Sequence, residues 1–271
     1  MITFKPFFGL ANRMRAINSA VALSRELNKK IKIVWVKDSG LNAKFSDIFQ
    51  FPDDKNIEIC QPLFSIYNLR FTMRYPFYMN TIRYLLRINY DKVLILNQLE
   101  LEKLNPESLH KYHKIFMTSY SSGFYDSEFD SSLFRPVEKL MNEIVDISQK
   151  FIQPTYGIHI RRGDNKESCL NSPIELFEKK INEILKVEND AQFYLATDSI
   201  EERTRLIKKY GNRIISKFIN TNRNRLEGIE SAVIDLFLLS RTKMIIGSYW
   251  SSFSEVAAMI GNVPLIQIKK D

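Results

Sequence analysis

Short apolar runs alternate with amphipathic segments from one end of this 271-residue chain to the other, which points to parallel sheets covered by helices on both faces. In the first half, Ile2 to Lys5, Ile31 to Trp35, Asn56 to Cys60, Lys92 to Leu96 and Lys114 to Thr118 read as strands. A helical pattern is clearest over Asn12 to Leu27, where Met14, Ile17, Val21 and Leu27 recur on one face. In the second half, strands are expected at Tyr156 to Ile160, Gln192 to Ala196, Arg213 to Ser216, Lys243 to Gly247 and Pro264 to Ile268. Helices are expected near 173–187, 199–210, 228–240 and 252–260. Ser172-Pro173-Ile174-Glu175 reads as a helix start, with a serine cap, a proline in the first turn and an acid after it. The amphipathic stretch Val137 to Phe151 ends at Gln153-Pro154-Thr155, so two α/β domains are expected, 1–152 and 153–271. Ligands in such sheets bind outside the carboxyl ends of strands, and two domains place a donor in the cleft between them.

Composition removes several function classes. Hydrophobic residues are 45% and charged residues 26%, with nine Gly and nine Pro, the profile of a soluble globular protein. No run is long enough to span a bilayer, and Met1 to Leu10 reads as a first strand and loop, not as a secretory leader. Cys60 and Cys169 provide no disulfide framework and no metal spacing, so a cytoplasmic protein is expected. The net charge of +8 favours anionic partners: a nucleotide diphosphate, nucleic acid or the inner face of a membrane. The excess is scattered, which argues against nucleic acid. Its densest stretch, Arg70 to Arg87, mixes arginines with aromatic and aliphatic residues, as in a partly solvated helix or one that lies against anionic lipid.

Four loops fall where a ligand is expected. Phe8-Gly9-Leu10-Ala11-Asn12-Arg13 follows the first strand and opens a helix; Gly9 permits close backbone approach and the helix start offers free amides. The strand end Ile158-His159-Ile160-Arg161-Arg162-Gly163-Asp164 puts two arginines where each must be paired, solvated or bound to an anion. One can meet a diphosphate while the other pairs internally, with Asp164 as the partner suggested by proximity; His159 can stack on or hydrogen-bond a base. In Tyr194-Leu195-Ala196-Thr197-Asp198-Ser199, Asp198 can accept from a guanine or cap the next helix. Around Gly247-Ser248-Tyr249-Trp250-Ser251-Ser252-Phe253-Ser254, four serines at a helix start offer hydroxyls and amides to phosphate oxygens without a metal. Walker A, GxSxG and CxxC patterns and zinc-ligand spacings are absent from the sequence.

Taken in order, IHIRRGD, YLATDS and SSFSEVAAMIG resemble the three motifs of the α-1,2/α-1,6/protein-O-fucosyltransferase superfamily, and GLANRMRAINSAVALSRELN followed by LNAKFSDIF is similar to the amino-terminal part of its bacterial members. The resemblance implies an α/β protein of GT-B fold, two Rossmann-like domains facing a cleft, with 1–152 on the acceptor side and 153–271 binding the GDP-sugar. It implies an inverting, metal-independent transfer from GDP-β-L-fucose, with Arg161 on the β-phosphate and His159 and Asp198 on guanosine. It also implies that Ser251, Ser252, Phe253 and Ser254 hold phosphate, and that Gly9, Asn12, Arg13, Arg162 and Asp235 complete the donor site. Where core-fucosylating relatives carry a glutamate base this chain has Cys169; Asp164 and Glu167 are the nearest carboxylates to serve. The implied partners are GDP-fucose, a glycan or lipid-linked glycan acceptor and an anionic membrane surface; no cofactor, metal or nucleic acid is expected. Another GDP-sugar donor, or a non-catalytic nucleotide- or nucleic-acid-binding protein, are the rival readings.

Overall fold

Among the described residues, ten parallel strands in two five-stranded sheets carry the fold. The computed structural model describes residues 1–63, 65–68, 76–96, 103–151, 154–163, 165–217, 222 and 224–270, with 76–79 by backbone alone. By packing, the chain forms two units, Met1–Arg135 and Pro136–Asp271.

In the first unit the sheet order is β3-β2-β1-β5-β4, from β1 (Ile2–Pro6), β2 (Ile31–Val34), β3 (Ile57–Cys60), β4 (Lys92–Ile95) and β5 (Ile115–Ser119). Strand β1 is central, with Ile2 opposite both Ile31 and Ile115. All five of its residues are buried, as a strand with helices on both faces requires. The helices are α1 (Leu10–Glu26), α2 (Phe45–Ile48), α3 (Pro76–Arg87) and α4 (Pro106–Leu109). Helix α3 buries Ile82 and Leu86 with Ile95 and Phe116 and leaves Tyr84 and Leu85 exposed, as is Ile88 just past its end. The arginine-rich stretch before it, 69–75, lies outside the described residues.

The second unit repeats the plan with sheet order β10-β9-β6-β7-β8: β6 (Thr155–Ile160), β7 (Gln192–Thr197), β8 (Ile214–Ile215), β9 (Ile245–Ser248) and β10 (Leu265–Ile268). Its helices are α5 (Glu138–Ser148), α6 (Lys166–Asn171), α7 (Ile174–Val187), α8 (Ile200–Tyr210), α9 (Leu226–Leu239) and α10 (Ser252–Gly261). Ile158, Ile160, Phe193 and Leu195 form one core layer with Phe177, Ile181 and Leu206 of α7 and α8. Each such side chain contributes roughly 1.5–3 kcal/mol by burial. Helix α9 packs on β6 and β7, and α5 and α10 pack on α9.

All ten expected strands are present, with ends shifted by two residues or fewer. By packing, α5, which buries Leu140 and Ile144, goes with α9 in the second unit. One local expectation is corrected. Ser172 is not the cap of α7: Pro173 takes that position with no side-chain bond, while the buried Ser172 hydroxyl donates to the Ile268 carbonyl. No described helix is long and apolar enough to cross a membrane.

Candidate functional site

The central strand β6 brings its last residues beside β7 and β9, with His159 opposite both Ala196 and Gly247. His159 is 6% exposed; its Nδ1 lies 2.7 Å from Ser254 Oγ and its ring stacks on Phe253 with centroids 4.8 Å apart. Burial first, and the nearby Arg161 charge second, push its pKa down to about 3. The ring is therefore a neutral platform that can stack or exchange single hydrogen bonds, and not a cation for phosphate. Gly247 makes the approach of α10 possible, since a Cβ there would lie 2.4 Å from Ser254 Oγ.

Beyond the strand, Asp198 organises both arginines. Arg161 Nη1 donates to its Oδ2, and the Arg162 amide donates to its Oδ1 at 2.7 Å. Gly163 passes so close that a Cβ there would stand 2.7 Å from Asp198 Oδ2. An internal pairing of the kind expected for one arginine is present: Arg162 Nε donates to Glu202 of α8 at 2.8 Å. Asp164 lies outside the described residues. The amide of Arg161 donates to the buried Ser248 hydroxyl at 2.9 Å, which fixes where the guanidinium leaves the strand. Arg161 and Asp198 are each about one-sixth exposed, so the pair is partly desolvated and still reachable.

The start of α10 completes the group. Ser251 occupies the cap position without a side-chain cap bond, Ser254 is fully buried against His159, and Ser252 and Phe253 are half-buried. The first amides of a helix have no partner within it and carry the positive end of its dipole, a setting for phosphate oxygens. Short helix α6 braces the preceding loop: Ser168 Oγ donates to the Tyr249 carbonyl at 2.7 Å, and Asn165 Nδ2 to the Trp250 carbonyl at 3.0 Å. The Tyr249 amide donates to Ser172 Oγ at 2.8 Å. Glu167 is exposed in the first turn of α6, where Asn171 Nδ2 donates to its carboxylate at 3.2 Å.

Two expected donor residues are instead built into the scaffold. Asp235 of α9 is buried, accepts from the Tyr194 hydroxyl, and is pushed by burial to a pKa of about 7. Tyr194 sits opposite Gly157, two residues before His159 on β6, so this pair belongs to the layer between sheet and helix and not to the strand-end loops. In the first unit Arg13 is fully buried: Nε donates to the Phe8 carbonyl (2.8 Å), Nη1 to the Val36 carbonyl (2.6 Å) and Nη2 to Asp38 Oδ2 (2.8 Å). Its guanidinium also lies 5.1 Å from the Trp35 ring centre. Arg13 thus locks the β1–α1 loop and is closed to a ligand. Gly9 takes the cap position of α1 in an extended conformation, φ −73°, and the left-handed backbone falls on Phe8. Asn12 is half-buried and accepts from Arg15 Nη2 at 3.0 Å.

Glu202 and Ser168 are residues around the strand end that sequence reasoning did not single out; they become partners only through contacts 40 and 81 positions away. Ser248 is one of the four serines read there, but its bond to the Arg161 amide was not foreseen.

No protein-family model matches the sequence, and no curated protein matches it. Solved structures do. The chain is similar to fucosyltransferase NodZ from Bradyrhizobium, with a TM-score of 0.65 and 14% identity over 98% of this chain and 95% of that one. NodZ, named an α-1,6-fucosyltransferase, is also among the similar structures in crystals soaked with GDP-fucose. A variant of Arabidopsis thaliana FUT1 in complex with GDP gives 0.66 and 14% over 100% of this chain and 70% of that one. POFUT1 in complex with GDP gives 0.56 and 11% over 98% and 97%. At such identities the likeness is one of architecture, and it establishes that this chain has the α/β GT-B fold, two Rossmann-like units, found in these fucosyltransferases.

Proposed function

We propose that this protein is a glycosyltransferase that moves L-fucose from GDP-β-L-fucose to a hydroxyl group of a glycan acceptor, with inversion and without a metal ion. The observation that carries the reading is the convergence, at the carboxyl end of one central strand, of neutral His159, the Arg161–Asp198 pair and the start of α10. The fold shared with fucosyltransferases solved with GDP or GDP-fucose supports the choice of donor.

In this reading the second unit holds the donor. His159 and Asp198 meet the guanine, Arg161 turns from Asp198 toward the β-phosphate, and the Ser252, Phe253 and Ser254 amides take the remaining oxygens, with Ser251 and Arg162 flanking. As the bond from the anomeric carbon to the phosphate oxygen breaks, charge grows on GDP, and Arg161 with the helix start offsets it. The acceptor oxygen attacks from the opposite face. Its proton passes to Asp164 or Glu167, or to the departing phosphate. Among the described residues no three metal-ligating side chains converge, and in this scheme the fixed donors meet the diphosphate charge themselves. Arg161→Ala is expected to lower GDP release from GDP-fucose by about 10²–10³-fold, the loss typical of one such donor. Turnover within twofold of wild type would sink the assignment.

Acceptor binding is assigned to the first unit, while Gly9, the cap of α1, and Asn12, in its first turn, remain proposed for the donor. Arg83 and Arg87 beside the exposed Tyr84 and Leu85 of α3, with exposed Ile88 next in the chain, support a peripheral contact with anionic membrane. Flotation with phosphatidylserine vesicles should carry the protein at low salt, and Arg83→Glu with Arg87→Glu should abolish it; equal flotation of that variant would dismiss the contact.

A further inference from the structure

Four described residues other than glycine have a left-handed backbone: Phe8, Asn28, Trp250 and Asn262. The two asparagines need no explanation, because Asn tolerates this region and both lie just past helix ends. For a bulky aromatic residue the same conformation is strained, and it persists only where surrounding contacts enforce it.

Phe8 and Trp250 share more than the strain. Each follows a parallel strand, β1 or β9, and stands one residue before a helix cap position, Gly9 of α1 or Ser251 of α10. Each has its carbonyl pinned by a side chain from elsewhere, Phe8 by Arg13 Nε at 2.8 Å and Trp250 by Asn165 Nδ2 at 3.0 Å. Both rings are nonetheless more than half exposed, at 53% and 56%. The chain thus spends strain and buried polar contacts to hold two large apolar rings in water, in the same place in each Rossmann-like unit.

We infer that Phe8 and Trp250 are carbohydrate-stacking residues, each within its own unit offering a ring face to the C–H-rich face of a hexose of a bound glycan; this rests on the transferase reading above. The chemistry of the two loops fits a sugar. Each ring is followed, in the first turn of the next helix, by a half-buried residue that can bond hydroxyls, Asn12 of α1 and Ser252 of α10. A pyranose needs that combination of one apolar face and a few polar edges. Both loops also lie at the carboxyl ends of strands, where ligands of such sheets bind. Phe8 packs edge-on against Phe7 and Tyr120, which steadies its ring while leaving more than half of the residue open.

The test uses the full chain and three variants, Phe8→Gly, Trp250→Gly and Trp250→Phe, on a glycan array in the presence of GDP, with calorimetric GDP titration and thermal melting alongside. Glycine relieves the backbone strain and removes the ring, so both glycine variants should melt no lower than wild type. They should keep GDP affinity within about threefold and lose at least tenfold of the signal on the glycans that wild type binds. Trp250→Phe, which retains a ring, should keep most of it. Undiminished glycan binding by the glycine variants, or wild type binding no glycan, overturns the inference. A lower melting temperature with unchanged glycan binding assigns the rings to structure. A tenfold loss of GDP affinity in Trp250→Gly with glycan binding intact makes that ring a nucleobase contact. Failure of wild type to bind GDP at all strikes the transferase reading separately.

Discussion

His159 has no route to a stable positive charge: it is buried, its Nδ1 is engaged by Ser254, and Arg161 stands beside it. Its proton is bound near pH 6.5 in the unfolded chain but only near 3 in the folded one, so the stability it contributes is present above pH 6.5 and lost as pH falls toward 3. His159→Gln should therefore narrow the fall in melting temperature between pH 7 and pH 4.5, and an unchanged fall would show that another group drives it. Asp235 has the opposite sign. Its folded pKa of about 7 is raised above the unfolded 3.8, so its contribution is fully present below 3.8 and is lost as pH rises through 7. Asp235→Asn, which preserves an acceptor for the Tyr194 hydroxyl, should gain stability relative to wild type between pH 5 and pH 8.5, by up to about 1.4 kcal/mol per pH unit in the steepest part. A variant that runs parallel to wild type across that range would show Asp235 to be charged throughout. At this scale His159, Arg161 and Asp198 were legible because charged or titratable residues at a buried strand end must find partners. The internal bonds of Arg13 and Asp235 were not readable for a common reason: their partners, Val36 and Asp38 for one and Tyr194 for the other, are far away in sequence.

Alternating apolar runs gave every strand position, because strands covered on both faces leave continuous hydrophobic segments. The helix ends were less legible, since a cap depends on competition for one hydroxyl. Ser172 has the residue type of a cap, yet it serves β10 and the β9–α10 loop because both lie within its reach. That loop depends on close packing as well as on bonds. Gly247→Ala would thrust a methyl group into Ser254, whose Oγ and Cβ would lie 2.4 and 2.6 Å away. Ser254 is buried and tied to His159, so the start of α10 must shift. The expected result is a loss of about 1–3 kcal/mol of stability together with weaker GDP binding, read by denaturant titration and calorimetry. Wild-type values for both would show that the contact relaxes freely.

Across the whole chain, each unit owns a sheet, a central buried strand and packed helices, and the two-sheet α/β organisation was readable from the alternation of apolar runs and amphipathic segments. The limit of α5 was not, because Leu140 and Ile144 show that the helix is amphipathic but not which sheet it serves. A fragment beginning at Pro136 keeps α5 on α9, with Lys139 bonded to Glu230 at 2.9 Å and Arg241 to Ser148 at 2.6 Å. It should unfold in one cooperative transition, whereas a fragment beginning at 153 bares that face of α9 and should not. Similar cooperativity in both would return the boundary to 152/153. The net charge of +8 leaves nucleic acid and nucleotide sugars as competing partners, and the polar loops at the strand ends of the second unit favour the nucleotide. Calorimetric titration of the full chain with GDP, UDP and ADP in the presence of EDTA tests this most directly. Selective binding of GDP is the predicted result; equal binding of all three, or binding of none, would contradict the guanine contacts given to His159 and Asp198 and with them the proposed transfer.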